Sequence, residues 1–404
     1  MDGIFADLRS IILPLFGREI PLAVSETIEA LWAEEKRPQS YETTKTKLGW
    51  EFLFNLPAGM SYRDFANKEE YFRDAIGDVT TEMKHVGKMA LLKIITDRIG
   101  TMYIYDYHTD VPSSMPLPIP IGYNHTGLIM QDLADIPHIL IGGVTGGGKS
   151  NAIHVLVNSL LHLIRPPKVV LIDLKMSEYN YLENDVLLIT DQLEAYKALT
   201  RLVIEMRNRQ QLLKQSRCVN IQKYNQAGGD MEYIVLVIDE LAELTIKESQ
   251  EHLETLLRLC RASGICIVTA TQRPDANTFK KFGQSKANFN GRLCFNVSDG
   301  INSKIILDSV EASNLPNVKG RAIWKLGETI EVQVPYLDPE IAEQKLGGNY
   351  CHDKPRKRSV PGPTSNRHLE RVGSNGRISA RDFALSFLSG SPAEIAKISG
   401  PKKN

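Results

Sequence analysis

The segment GVTGGGKS, residues 143–150, decides the fold. It follows an apolar run typical of a buried strand, His138 to Gly142, and it opens a helical pattern from Lys149 to Ile164. The spacing matches the phosphate-loop pattern G-x-x-x-x-G-K-[S/T], set between a strand and a helix as that motif requires. Its glycines let backbone N–H groups turn inward around a β-phosphate, and the positive end of the helix adds to the attraction. The sequence therefore predicts a site for a nucleoside triphosphate.

Two side chains at the end of this segment are expected to act on ATP directly. Lys149 would reach the β- and γ-phosphates, and the Ser150 hydroxyl would ligate Mg²⁺. The residues predicted to bind the nucleotide are Gly143, Thr145, Gly146, Gly147, Gly148, Lys149, Ser150 and Asn151. The alternative, a glycine-rich turn without a ligand, leaves the strand–loop–helix context unexplained.

A second apolar run, YIVLVIDE at residues 233–240, ends in two adjacent carboxylates. Ligands of open α/β sheets bind at the carboxyl ends of the strands. Asp239 is predicted to hold Mg²⁺, directly or through water. Glu240 points to the other side of the strand end and is predicted to be the general base that activates the attacking water. Without the phosphate loop, the pair would equally suit a solvated helix N-terminus.

A third run, ICIVTATQRP at residues 265–274, is a strand that ends in polar residues. Such a strand lies beside the acidic strand in many ATP-driven motors. Gln272 is predicted to read the γ-phosphate and relay its loss. The alternative is that Thr271 and Gln272 only begin a turn before Pro274.

Short strands that are apolar throughout alternate with amphipathic helices after the prolines at residues 112–120. This pattern predicts an α/β fold with a mainly parallel sheet covered on both faces. Together with the phosphate loop, the acidic strand end and the sensor strand, it predicts a RecA-like P-loop ATPase core. The predicted domains are a helical N-terminal arm at 1–40, a small α+β domain at 41–112, the RecA-like motor at 113–345 and a basic, largely flexible C-terminal tail at 346–404.

The small domain and its borders carry more detailed expectations. Residues 51–56 and 102–107 are predicted to be strands, and residues 69–76 and 79–85 are predicted to be helices. The prolines at residues 112–120 predict a linker.

The amino-acid composition does not decide whether the protein binds nucleic acid, but it bears on metal binding and on membrane insertion. Lysine plus arginine and aspartate plus glutamate number 48 each, so global charge neither favours nor excludes nucleic acid. The five cysteines form no CxxC pair, which favours buried reduced thiols over a zinc site. No apolar run reaches membrane-spanning length. The predicted location is the cytoplasm, with peripheral docking at a membrane through a partner left open.

Five segments, in order, resemble the FtsK/SpoIIIE family of DNA-pumping ATPases, with a likeness that extends from Pro118 to Pro335. The segments are residues 137–150, 171–176, 237–243, 261–265 and 270–274. The preceding stretch LPAGMSY, residues 56–62, is more similar to the conjugative, plasmid-encoded branch, which is coupling-protein-like.

The resemblance implies a homo-hexameric ring of RecA-like domains around double-stranded DNA, with ATP at the subunit interfaces. A membrane-bound transfer apparatus or a relaxase would be a further partner. The family's interface arginine matches Arg261, which would reach the γ-phosphate held by the neighbouring subunit and offset its charge.

A ring that grips a polyanion without reading bases needs cations at its loop tips. The predicted DNA contacts are Arg273, Lys280, Lys281 and Lys286, in the loop after the sensor strand. A second candidate is the segment from Lys175 to Tyr179. For each lysine the alternative is solvated surface charge.

Two other substrates stay open at this stage, single-stranded DNA and protein, the latter as in type VII secretion ATPases. One phosphate loop and no membrane span favour DNA over protein. A third alternative, a binding module that uses ATP only to assemble, would predict a damaged acidic pair or a missing arginine finger.

Overall fold

The computed structural model describes residues 20–347 apart from 47, 78, 97–98, 110–111, 113, 177 and 273–284. The chain divides into two compact units after Gly100. Within the described ranges, no helix is both long and apolar enough to cross a bilayer. The predictions for residues 1–19 and for the tail beyond 347 lie outside the described residues.

The first unit is a four-stranded antiparallel sheet with helices packed on it. Its strands are β1 Gln39–Lys45, β2 Gly49–Asn55, β3 Thr80–Val86 and β4 Met89–Ile95, in the order β1-β2-β4-β3. Its helices are α1 Ile20–Leu31, α2 Tyr62–Ala66 and α3 Glu69–Ile76. Phe52 and Phe54 of β2 are buried against Phe65 and Phe72 of the helices, and these rings form the centre of the core.

Two element predictions near this unit are wrong. Residues 79–85 were predicted to be helical, but all of them except the first belong to β3, which pairs with β4 through a hairpin that turns at Gly87 with φ 62°. Residues 102–107, predicted to be a strand, contain one isolated bridge, between Ile104 and Tyr336, among the residues described there. Pairing with β4 therefore overrides the helical pattern of the first segment.

The second unit contains a ten-stranded sheet in the order β6-β5-β14-β13-β12-β7-β11-β10-β8-β9. The strands are β5 Pro118–Asn124, β6 Gly127–Asp132, β7 His138–Gly142, β8 Lys168–Ile172, β9 Leu187–Ile189, β10 Ile234–Ile238, β11 Ile265–Thr271, β12 Gly291–Phe295, β13 Arg321–Leu326 and β14 Glu328–Gln333. The helices are α4 Lys149–Leu161, α5 Gln192–Gln215, α6 Ile221–Gln226, α7 Lys247–Leu259, α8 Gly300–Leu307 and α9 Pro339–Gly347.

The six strands from β12 to β9 are parallel, and the remaining pairs are antiparallel. The prediction of an α/β fold with a mainly parallel sheet is confirmed. The prediction of a linker through Pro118 and Pro120 is wrong, because both prolines lie in β5.

Helices cover both faces of the parallel region. Alternate residues of β10 enter different cores, Leu236 on one face and Val237 on the other. The first core is closed by α5, α7 and α8, and the second by α4. A strand buried on both faces must be apolar throughout, which explains the continuous apolar run before Asp239.

The carboxyl ends of β7, β11 and β10 meet at one edge of the sheet. Thr271 of β11 is in register with Gly142 of β7, and Ile238 of β10 is in register with Thr269. The segments that follow these three strands therefore leave the sheet side by side, as the chemistry predicted from the sequence requires.

Candidate active site

The loop of residues 143–148 joins β7 to α4 and packs against Phe295, which is fully buried in β12. Gly143 has φ 147°, and a Cβ there would lie 2.7 Å from Cβ of Phe295. Gly148 has φ 125°, and its Cβ would lie 2.9 Å from Cε1 of the same ring. Only glycine fits both positions without strain, so the loop keeps its backbone exposed to a ligand.

Lys149 is the first residue of α4 and is only 5% exposed. Its Nζ donates hydrogen bonds to the carbonyls of Gly143 at 2.7 Å and Val144 at 2.9 Å. Burial lowers the pKa of this ammonium, and the carboxylate of Glu240 acts in the opposite direction. The Lys149 ammonium is thus buried in the loop, and the phosphates of an incoming nucleotide can replace the two carbonyls as its hydrogen-bond partners.

Asp239 directly follows β10 and is 7% exposed. Its Oδ1 accepts a hydrogen bond of 2.8 Å from the Tyr179 hydroxyl. Burial raises the pKa of Asp239 to about 6, although the Tyr179 hydrogen bond lowers it. A carboxylate kept in such surroundings is ready to hold a cation, since a metal ion would favour its charged form.

Glu240 is 6% exposed and has extended backbone angles, φ −138° and ψ 105°. Its Oε2 accepts hydrogen bonds from the Gln272 backbone N–H at 3.0 Å and from Lys175 Nζ at 3.3 Å. Its Oε1 is buried and has no hydrogen-bond partner in the described part of the chain. Orphaned buried oxygens are rare in native folds, so this atom marks a place for a water or a ligand.

Gln272 links the acidic pair to the phosphate loop. It follows β11, which pairs with β10 as the sequence predicts. Its backbone N–H donates to Glu240, and its side-chain Oε1 accepts a hydrogen bond of 3.2 Å from Thr145 Oγ1. One residue therefore contacts both halves of the predicted site.

The other predicted loop residues lie where the motif requires. The Asn151 side chain, however, forms its hydrogen bonds within the protein. Ser150 is the second residue of α4, and Gly146 and Gly147 complete the loop before it. The Asn151 side chain donates to the Pro335 carbonyl at 2.7 Å and accepts from the Leu337 N–H at 2.9 Å. These two hydrogen bonds hold the segment after β14 against α4, and they use both the amide nitrogen and the amide oxygen of the side chain.

Arg261 is not brought together with these residues in one chain. It begins a short 3₁₀ helix, Arg261–Ser263, just before the amino end of β11, and its side chain is exposed. Its Nη2 donates to the Asp135 carbonyl at 3.4 Å, on the segment that precedes β7. The seven residues of β11 separate it from Gln272, on the order of 20 Å. Arg261 thus lies at the edge of the sheet opposite the phosphate loop.

Of the four predicted DNA contacts, one lies within the described residues. Arg273, Lys280 and Lys281 lie outside the described residues. Lys286 is described, and its Nζ donates to Asp308 Oδ1 at 2.6 Å and to the Lys304 carbonyl at 3.2 Å. Its charge is therefore already partnered within the protein.

Two residues of the second candidate DNA segment, Lys175 and Tyr179, contact the acidic pair. Tyr179 is fully buried, and Lys175 is paired with Glu240. Sequence reasoning missed that these side chains contact the acidic pair. The strand order explains the contact, because residues that follow β8 leave the sheet next to the end of β10.

Comparison with known proteins places the same segments in a family. Residues 106–276 match the model described as the FtsK/SpoIIIE family. The chain is 39% identical over 249 residues to the DNA translocase FtsK of Chlorobaculum tepidum, covering 56% of this chain and 31% of that protein. It is 34% identical over 297 residues to the DNA translocase FtsK of Lactiplantibacillus plantarum, covering 67% of this chain and 37% of that protein. The chain thus spans less than two fifths of the length of either relative.

Solved structures with a similar fold include a conjugation protein. The pCW3 conjugation coupling protein TcpA, solved as a monomer with ATPγS, has a TM-score of 0.59 and 27% identity, covering 82% of this chain and 98% of that one. The cytoplasmic domain of the type VII secretion ATPase EccC of Thermomonospora curvata has a TM-score of 0.52 and 23% identity, covering 63% and 34% of the two chains. The second likeness concerns the fold alone.

Proposed function

Through residues 106–276 the chain belongs to the FtsK/SpoIIIE family, and on that premise we propose that it hydrolyses ATP to move DNA. The observation that carries the proposal is the position of Gln272, which contacts Glu240 through its backbone and Thr145 of the phosphate loop through its side chain. A residue so placed can respond to the γ-phosphate on one side and to the catalytic carboxylate on the other.

The oxygen donors present suit Mg²⁺. Mg²⁺ takes carboxylate and hydroxyl oxygens together with phosphate oxygens, and Ser150 and Asp239 supply the first two. Bound there, the ion would offset the charge of the phosphates during transfer. Lys149 would exchange its two loop carbonyls for phosphate oxygens.

Glu240 is assigned the role of general base. It takes a proton from the attacking water while the water oxygen bonds to the γ-phosphorus and the bond from that phosphorus to the β–γ bridging oxygen breaks, which leaves ADP and phosphate. Its partnerless Oε1 supports this role, because that atom can accept a hydrogen bond from water while Oε2 stays tied to Gln272 and Lys175.

The assembly we propose is a homo-hexameric ring with Arg261 acting on the neighbouring subunit's site. The distance of Arg261 from the phosphate loop of its own chain supports action across an interface. In the ring, its guanidinium would offset charge on the γ-phosphate oxygens, as arginine fingers do in related ATPases.

Double-stranded DNA is the substrate we favour, in conjugative or mobile-element transfer. Named DNA translocases at 34–39% identity support DNA, and the coupling protein TcpA, 98% of which the chain covers, supports a conjugative setting. The alternatives are single-stranded DNA and a protein substrate, the latter suggested by the fold shared with EccC.

The test is ATP hydrolysis measured without polymer, with duplex DNA, with single-stranded DNA and with an unfolded polypeptide. Lys149→Ala serves as the background control. We expect duplex DNA to raise the rate of the wild type and leave the control unchanged. A rate that no nucleic acid alters would contradict the DNA assignment, and a wild-type rate equal to that of Lys149→Ala would contradict the ATPase assignment itself.

A further inference from the structure

Tyr179 connects the phosphate-loop helix to the acidic strand from inside the protein. It lies on the segment between β8 and β9, and its side chain is fully buried. Its hydroxyl donates a 2.8 Å hydrogen bond to Asp239 Oδ1. Its ring centroid is 4.8 Å from that of His154, on the helix that begins with Lys149.

The segment that carries Tyr179 is anchored beside the acidic strand. The backbone N–H of Asp239 donates to the carbonyl of Ile172, the last residue of β8, at 3.1 Å. Lys175 on the same segment reaches Glu240. Residues that follow β8 therefore contact both carboxylates, each through a different side chain.

A buried tyrosine that donates to one oxygen of a buried carboxylate restricts the rotation of that carboxylate. Oδ1 of Asp239 is held by the hydroxyl, so the direction of the second oxygen, Oδ2, is fixed as well. Partners of this kind orient metal-binding carboxylates, and their loss commonly weakens metal affinity 10- to 100-fold.

We propose that Tyr179 is a positioning residue, which holds Asp239 in the orientation that binds Mg²⁺ together with ATP. This inference rests on the proposed function, since it assumes that Asp239 holds the ion. It assigns to Tyr179 a role inside the ATP site in place of the DNA contact that the sequence suggested.

Tyr181 offers a matched control. It lies two residues further along the same segment, and its hydroxyl accepts a 2.9 Å hydrogen bond from Asn158 and lies 3.0 Å from His154 Nδ1. The described residues give it no contact with Asp239 or Glu240. Tyr181→Phe therefore removes a hydroxyl from the same aromatic cluster without altering the acidic pair.

The experiment measures binding of a fluorescent, non-hydrolysable ATP analogue while Mg²⁺ is titrated, and again in EDTA. For Tyr179→Phe we expect the Mg²⁺ concentration at half-maximal binding to rise about tenfold or more, with unchanged affinity in EDTA. Tyr181→Phe should match the wild type in both. In an Asp239→Asn background, Tyr179→Phe should add no further shift, because the two residues act as one unit.

Three results would overturn the inference alone. They are an unchanged Mg²⁺ titration for Tyr179→Phe, an equal shift for Tyr181→Phe, and a full additional shift in the Asp239→Asn background. Melting curves of each variant identify a loss of folding, and a Tyr179→Phe affinity that falls equally with Mg²⁺ and in EDTA would show a purely structural role and would also overturn the inference. A wild type whose nucleotide binding does not respond to Mg²⁺ would instead overturn the proposed function.

Discussion

Replacing Gly148 by alanine tests the contact between the phosphate loop and Phe295. The backbone there has φ 125°, where a residue with a Cβ is strained by about 1–3 kcal/mol. The new Cβ would also lie 2.9 Å from Cε1 of Phe295 and 3.1 Å from Cα of Gly320. Phe295 is fully buried, so it has little room to yield, and overpacking adds about 1–3 kcal/mol. We expect the loop to move and nucleotide affinity to fall at least tenfold, with a melting temperature lower by several degrees.

Gly228→Ala is the control for this prediction. Gly228 has φ 95°, but a Cβ there would have no described atom within 4 Å, so the substitution adds strain without a steric clash. Both variants are measured by thermal melting and by binding of an ATP analogue. Gly228→Ala should lose some stability and retain full nucleotide affinity. If Gly148→Ala binds nucleotide as the wild type does and melts no lower than Gly228→Ala, the packing of the loop on Phe295 does not restrict it as described.

Three further outcomes are expected. Glu240→Gln should bind ATP normally and hydrolyse it about 10²–10⁴ times more slowly in a steady-state assay; a normal rate would reassign the base. Arg261→Ala should be inactive alone and regain turnover when mixed with Lys149→Ala subunits, provided that the two co-assemble; no rescue in mixed rings would argue against action across the interface. Burial lowers the pKa of His154 to about 4, so the unfolded chain binds more protons between pH 6.5 and pH 4. The free energy of unfolding should therefore fall as the pH decreases through that window, by up to about 1.4 kcal/mol per pH unit, and His154→Gln should reduce the slope in denaturant titrations; an unchanged slope would contradict the buried neutral state.

The sequence predicts the centre of the sheet well because burial on both faces leaves an unmistakable pattern. The bounds predicted for β7 agree with the structure, since the strand is apolar over its whole length. The adjacency of the acidic pair and Gln272 also follows, because neighbouring parallel strands end at the same edge.

The edge of the same sheet is less predictable. Proline cannot donate to a ladder, so Pro118 and Pro120 suggested a linker. In the structure both pair only with β6, and the single register pair between β5 and β14 is Tyr123 with Gln333. Residues 118–122 are all buried, so the apolar side chains of Ile119 and Ile121 between the prolines were the better signal.

The partners of the acidic pair were beyond sequence reasoning for a different reason. Lys175 and Tyr179 look like the polar and aromatic residues of a loop that binds a polyanion. Only the strand order, which puts β8 beside β10, reveals that they contact Glu240 and Asp239. Contacts between segments about 60 residues apart leave no periodic signature in the chain.

The separation of Arg261 from the phosphate loop of its own chain has a genetic consequence. If every site is completed by the next copy, a subunit without the arginine damages its neighbour's pocket while its own remains intact. Such an allele would be dominant over the wild type in a cell that carries both. The inhibition would increase steeply with the proportion of defective copies, because a closed head-to-tail arrangement has no redundant interface.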